Sequence, residues 1–242
     1  MGRVSPPGMP SLADAPARFA AMAVSAKPST FRQARAQRSY QALLKAATSL
    51  FASAGYDGVG TPEIADKAGV AVGTFYRYFD DKREVFYEVV RHYLVIAYHQ
   101  TLDGLTAEKF ARKQRHETID ATLEILFSHV LAHPKMSRSI AELALRDPAV
   151  AELRHAFDMA CCARIATLFR AICDPAYVPD PDATAYIVYA SAVESGNWLG
   201  GLRGTPPVEL ARARAALSKL IERTLFLPSS IEPPTNAGYT VK

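Results

Sequence analysis

Cysteine is scarce in this sequence, and what there is does not pair: Cys161, Cys162 and Cys173 make an odd number, two of them adjacent. That pattern excludes a disulfide-stapled secreted scaffold. No uninterrupted apolar run approaches the roughly 18 residues that a membrane-spanning helix requires. The stretch Phe19-Ala20-Ala21-Met22-Ala23-Val24 is too short and too alanine-rich for a secretory core, and Asp14 and Arg18 stand just before it. These shortages predict a reduced, cytoplasmic chain with no membrane partner. Also missing are an alternating segment that reads as a strand, an internal repeat, a glycine-rich phosphate cradle and any catalytic constellation. Charge of one sign is not strongly in excess. The formal net charge is +4, a tilt that permits a polyanionic partner without demanding one.

What is present is an ordinary apolar content of 49% over 242 residues, enough for a sizeable core. Residues 1–30 are rich in Ala, Pro, Ser and Gly and are expected to form a disordered arm. That segment is either a solvated tail or an arm that follows DNA phosphates or enters a minor groove. Met22 is an alternative start that would delete most of it. From about Phe31 the pattern turns helical, with Leu43, Ala47, Leu50, Phe51 and Ala54 on one face. Gly55 should end that helix in the left-handed conformation. Thr61 is placed to cap a second short helix with Pro62 at its first position. A third helix should run through Phe79, and Asp80 or Asp81 should cap a fourth. Further helices are expected at 107–114, 117–132, 136–146, 148–173, 182–202 and 207–227, separated by proline-bearing breaks. The fold class is therefore all-α. It divides into an arm (1–30), a helix-turn-helix unit (31–82), a helical domain (83–227) and a flexible tail (228–242).

The most informative stretch is Thr61-Pro-Glu-Ile-Ala-Asp-Lys-Ala-Gly-Val-Ala-Val-Gly-Thr-Phe-Tyr-Arg-Tyr-Phe79. Ala65 is small enough for two helices to cross over it, and Gly69 tolerates the positive φ of the turn between them. On the second helix Phe75 and Phe79 share a buried stripe, whereas Gly73, Thr74 and Arg77 fall on the opposite side. Such a helix is suited to a major groove. Arg77 can fork to guanine, Thr74 can meet a thymine methyl or a phosphate, and Val72 offers apolar contact. Gly73 offers its backbone N–H. Thr61, Tyr76, Tyr78 and Lys82 are placed for phosphates. Ordinary surface residues on a helix pair of some helical enzyme would share much of this pattern.

The stretch 38–90 resembles the tetracycline-repressor (TetR) family of bacterial regulators. The resemblance rests on Ala46-Ala47, Leu50-Phe51, Gly55-Tyr56, Ile64-Ala65, Ala68-Gly69-Val70, Gly73-Thr74-Phe75-Tyr76, Tyr78-Phe79 and Lys82. It implies a three-helix DNA-binding domain joined through a fourth helix to a helical ligand domain. It also implies a homodimer built from the last two long helices, here 182–202 and 207–227, and a repressor that a small molecule releases from a double-stranded DNA operator. By position, Thr61, Tyr78, Lys82 and Tyr76 take phosphate roles, and Val72, Gly73, Thr74 and Arg77 face the groove. Two positions depart from the family pattern. Ala71 stands where Ser commonly caps the reading helix, and Pro62 stands where some members carry a polar base-reading side chain.

The C-terminal part carries no motif. Candidate lining residues for an apolar sensor pocket are Phe127, Met159, Cys162, Phe169, Tyr186, Tyr189, Asn197 and Trp198, although aromatics at helical spacing serve equally as core. Asn197, beside Trp198 and between Gly196 and Gly200, needs a polar partner. Gly196, Gly200, Gly201 and Gly204 thin the penultimate helix and suit close approach of a partner helix. His129 and His133 stand at i and i+4, but no Glu lies between them and His133 precedes Pro134. No metal or cofactor is assigned, and the cysteines read as buried thiols. Three functions stay open: a ligand-released repressor, a DNA binder without a sensor, and a helical enzyme or carrier of an apolar metabolite.

Overall fold

The protein is described by a computed structural model covering residues 12–24, 34–111 and 115–226. The expectations for residues 1–11, for 25–33 and for the tail 228–242 concern residues outside those described. Among the described residues there are eleven α-helices, one short 3-10 turn and no strand. The helices are α1 (Ala15–Ala23), α2 (Ala34–Ala54), α3 (Thr61–Lys67), α4 (Val72–Phe75), α5 (Lys82–Leu102) and α6 (Ala107–Ala111). They continue with α7 (Arg115–Ala132), α8 (Pro134–Ala144), α9 (Pro148–Ile172), α10 (Pro181–Leu199) and α11 (Leu210–Leu225).

Boundaries follow local chemistry. Gly55 closes α2 at φ 78°, its N–H reaching Phe51 O at 2.9 Å. The cap of α3 is Gly60 and not Thr61, because Glu63 folds back to accept the Gly60 N–H at 2.6 Å. Asp81, rather than Asp80, caps α5 by accepting the Glu84 N–H at 2.8 Å. Asp147 and Asp180 cap α9 and α10, each followed by a proline in the first turn, where a missing N–H costs nothing.

Helix α9 is the hub. It packs against α1, α5, α6, α8 and α10, while α7 and α11 pair on the far side. One apolar core runs unbroken from Leu43, Ala47 and Phe51 of α2 through Phe75 and Phe79 to Val85, Phe86 and Val90 of α5. From there it continues into Ile140 of α8 and Leu153 of α9. A second core fills the space among α7, α9, α10 and α11, with Leu123, Phe127, Phe169, Leu217 and Ile221.

The expected disordered arm needs correction where it is described. Residues 12–23 are helical, and Phe19 is buried in the first core. Its ring lies 5.4 Å from Tyr98 and edge-on to Phe157 at 5.6 Å, while Arg18 pairs with Glu152 at 2.8 Å. A segment of low complexity is held because one aromatic has a slot between α5 and α9. The glycine expectation changes as well. A Cβ on Gly200 would come within 2.8 Å of Val130, and one on Gly196 within 3.4 Å of Phe127. These glycines therefore serve α10–α7 packing inside the chain rather than a seam between chains.

Phe19→Ala should cost about 3–5 kcal/mol, the usual range for a buried Phe, and a chain starting at Met22 should lose a comparable amount. Urea denaturation of the three proteins checks this; unchanged midpoints would show that α1 contributes nothing.

Candidate functional site

Two regions bring chemistry-bearing side chains together: the α3–α4 face and a cavity in the helical domain.

In the α3–α4 unit, Ile64, Ala65, Phe75 and Phe79 are fully buried. Phe75 and Phe79 pack ring to ring at 5.6 Å, and Phe79 stacks on Tyr40 of α2 at 5.4 Å. Gly69 makes the turn at φ 68°. With the phenylalanines inside, Val72, Gly73, Tyr76 and Arg77 are exposed, and Thr74 and Tyr78 are half-buried. A Cβ on Gly73 would meet nothing within 4 Å, so the backbone there is open to close approach. Helical hydrogen bonding is regular over Val72–Phe75 and relaxes into turns up to Phe79, a shorter α-helix than the sequence suggests. Its cap, Ala71, makes no side-chain bond to the helix end. Thr61 Oγ1 and Tyr76 OH lie 2.9 Å apart, which ties the start of α3 to the end of α4. Lys82 is half-buried; its Nζ donates to Tyr56 O at 3.0 Å and sits 4.2 Å over the Tyr56 ring.

Several polar contacts tie this unit to the rest of the molecule. Tyr40 OH donates to Glu88 at 3.0 Å; Arg91 bonds the same carboxylate at 2.8 Å and also the Ala23 carbonyl of α1. The Tyr56 N–H donates to Ser139 Oγ of α8 at 2.8 Å. Arg83, just inside α5, grips both oxygens of Asp147 at the head of α9. The guanidinium, together with the Val150 and Ala149 N–H groups, holds Asp147 below the usual carboxylate range.

The cavity has a volume of about 360 Å³ and is walled by α5, α7, α8, α9 and α10, with mostly aliphatic and aromatic side chains. Of the eight residues proposed from sequence, the structure brings Tyr189 and Asn197 to its wall. The other six lie elsewhere. Phe127, Cys162 and Phe169 are buried in packing, Met159 is half-buried away from the wall, and Tyr186 and Trp198 are 59% and 41% exposed. Asn197 Nδ2 finds its partner in Glu194 at 3.1 Å. Sequence reasoning passed over the main polar feature, Arg154 and Asp158, whose Nε and Oδ1 are 2.9 Å apart. Tyr189 OH donates to the same Asp158 oxygen. Burial and the adjacent Asp158 push the Tyr189 phenol and the Cys161 thiol up, so both stay protonated and neutral. His129 also reaches the wall, with its Nε2 buried and without a hydrogen-bond partner. No cluster that could hold a metal ion occurs among the described residues.

A buried α3–α4 crossing with an exposed second helix, attached to a helical domain that encloses a cavity, defines the class as a helix-turn-helix protein with an appended helical module. Residues 43–89 match the family model "Bacterial regulatory proteins, tetR family". A putative TetR-family transcriptional regulator from Mesorhizobium loti superposes with a TM-score of 0.60 at 22% identity, over 80% of this chain and 98% of that one. A putative transcriptional regulator from Saccharomonospora viridis, solved in complex with choline, gives 0.59 at 20% identity, over 75% and 94%. SmeT, the repressor of the Stenotrophomonas maltophilia multidrug efflux pump SmeDEF, gives 0.56 at 17% identity, over 81% and 96%. The N-terminal unit thus matches the TetR family by sequence over residues 43–89, and the chain as a whole shares the fold of these solved regulators. No helix among the described residues is long and apolar enough to cross a membrane.

His92 and His129 are both held below the usual imidazole value, chiefly by burial, and each has an orphan ring nitrogen. The unfolded chain takes up these protons first. Stability should therefore be level above about pH 6.5 and fall as pH drops below it. The thermal midpoint should be lower at about pH 5.5 than at about pH 7.5, with a smaller drop in His129→Gln; equal midpoints in the unmodified protein would refute the assignment.

Proposed function

We propose that this chain is a homodimeric repressor that reads duplex DNA with α4 and leaves it when an apolar small molecule enters the cavity. The observation that carries the reading is the exposure of Arg77, Gly73 and Val72 on the side of α4 opposite the buried Phe75 and Phe79. Arg77 forks to guanine O6 and N7, Val72 and Thr74 supply methyl contacts, and Gly73 lets the backbone approach. Thr61, Tyr76 and Tyr78 hold phosphates beside the groove, and Lys82 exchanges its Tyr56 carbonyl for a phosphate oxygen. Because Thr61 and Tyr76 are already joined, these phosphate ligands are arranged before DNA arrives.

Two further observations support the rest of the reading. A cavity of about 360 Å³ lies in the size range of small-molecule sites and favours a sensor over a DNA binder without one. SmeT, a repressor of this fold, has been solved with triclosan. On α10 and α11, Tyr186, Ile187, Trp198 and Leu220 are 59%, 60%, 41% and 58% exposed. Apolar side chains gathered on two neighbouring helices are what a partner copy would cover. Dimerisation sets the spacing of two α4 helices over successive major grooves, and a ligand that prefers another spacing shifts the population off DNA.

Fluorescence anisotropy on operator DNA tests the docking. Only Lys82 of the four phosphate ligands is cationic, and with Arg77 in the groove each subunit brings two positive charges to the DNA, so the dimer should show a log–log salt slope of about −2 to −4. Arg77→Ala should cost about 1–3 kcal/mol and relax one base position, whereas Lys82→Ala should weaken all sequences alike. A slope near zero, or an Arg77→Ala protein with unaltered preference, would overturn the docking. For the dimer, Ile187→Glu with Leu220→Glu should shift sedimentation from dimer to monomer without loss of helicity; an unshifted dimer would place the interface elsewhere.

A further inference from the structure

Most polar groups around the cavity are satisfied within the protein. Tyr93 OH donates to His129 O at 2.7 Å and Thr122 Oγ1 to Thr118 O at 2.7 Å. Asn197 Nδ2 is committed to Glu194, and Tyr189 OH to Asp158. Two groups are not: His129, whose Nε2 is buried without a partner, and Arg154. The Arg154 Nε is shared by the two Asp158 oxygens, at 2.9 and 3.1 Å. Neither terminal guanidinium nitrogen hydrogen-bonds any acceptor among the described residues. The side chain is deeply enclosed, yet it lines the cavity and keeps 29% of its surface accessible. A guanidinium carries five N–H donors and no acceptor. Spending only Nε on the protein leaves four N–H donors facing the cavity, where water meets them until a ligand acceptor takes its place.

The sign of the ligand follows from Asp158. Its charge balances that of Arg154, and its oxygens accept from Arg154 and Tyr189. A cationic ligand would find no free carboxylate on this pair. An anionic one would set a second negative charge beside Asp158 in a medium of low dielectric, where like charges repel strongly. A neutral oxygen acceptor meets the open N–H groups and disturbs nothing.

We infer that the cavity selects a neutral, largely apolar molecule carrying an oxygen hydrogen-bond acceptor, such as a ketone, ester or ether, which docks on the terminal nitrogens of Arg154. This deepens the sensor reading and rests on it. The apolar walls contribute affinity through area removed from water, and Arg154 contributes the discrimination.

The test is isothermal titration calorimetry with matched two-ring probes. Benzophenone presents a carbonyl, diphenylmethane has the same skeleton without it, and 4-benzoylbenzoate adds a negative charge. Benzophenone should bind about ten- to a hundredfold more tightly than diphenylmethane, the discrimination expected of a hydrogen bond to a charged donor. It should also outbind 4-benzoylbenzoate. Arg154→Lys keeps the charge and a partner for Asp158 while removing the fork, and should bring the benzophenone-to-diphenylmethane ratio close to one. Ala192→Phe narrows the cavity and should abolish binding of all three. If diphenylmethane binds as well as benzophenone, or Arg154→Lys keeps the ratio, the role of Arg154 falls while the cavity remains a sensor site. Preference for the carboxylate overturns the neutrality. Should Ala192→Phe leave binding intact, or no probe bind the unmodified protein, the cavity is not the ligand site and the inference falls with it.

Discussion

Glu88 is buried at the meeting point of three segments, and its requirement for partners organises the molecule around it. Only 8% of the residue is exposed. Its carboxylate accepts from Tyr40 of α2 and from Arg91 one turn further along α5; Arg91 in turn reaches a carbonyl at the end of α1. A charge at that depth is tolerated only when fully partnered, and losing one partner typically costs more than the assembled group contributes. Tyr40 is also the ring on which Phe79 stacks. The buried side of α4 and the position of α5 are therefore set by one connected group of side chains.

That arrangement gives α5 two roles along one rod. Its first turns, with Val85, Phe86 and Val90, belong to the core that holds α2 to α4. Its last turns, with Tyr93, Leu94, Ala97 and Thr101, form cavity wall. Helix α8 repeats the design on a shorter scale, with Ile140 and Ala141 on the cavity and Ser139 bonded to the Tyr56 N–H at the end of α2. The Arg83–Asp147 pair adds a third tie, though its exposed guanidinium keeps its contribution small. A change in cavity shape thus has two helices through which to reach the α3–α4 unit. Packed interfaces hold discrete arrangements better than graded ones, and the proposed release from DNA relies on a small displacement at the wall selecting between two spacings of the dimer.

The helix-turn-helix face was legible in the sequence because it obeys local rules. A two-phenylalanine stripe at one-turn spacing, a glycine at the turn and prolines in first turns each have a short-range physical cause. The cavity was not legible, since packed core and cavity wall draw on the same apolar residue types. What separates them is whether a neighbouring helix fills the space opposite. Phe127 is met by Gly196, whereas Phe157 is left facing open volume. Arg154 and Asp158 escaped notice for a related reason. An Arg and an Asp at i,i+4 spacing ordinarily form a solvated surface pair, and nothing local reveals that α9 is enclosed by five other helices. Helix α1 was missed because composition averages over a segment, and its attachment depends on the single ring of Phe19.

The two interior charge pairs differ in a way that separates scaffold from receptor. At Glu88 the guanidinium of Arg91 is used on both sides, by the carboxylate and by the Ala23 carbonyl, and Tyr40 completes the acceptor. Nothing there invites a further ligand. At Arg154 the carboxylate is complete, with donors from Nε and from Tyr189, and the guanidinium is not. Closing every donor is what fixed structure requires. Open donors held in place by a partnered neighbour in a mostly apolar wall are what the inferred selectivity requires, because an analogue without the acceptor leaves those donors unpaired and forfeits the gain. The pair built into α5 fixes where the helices stand, and the pair built into α9 leaves donors open toward the space they enclose.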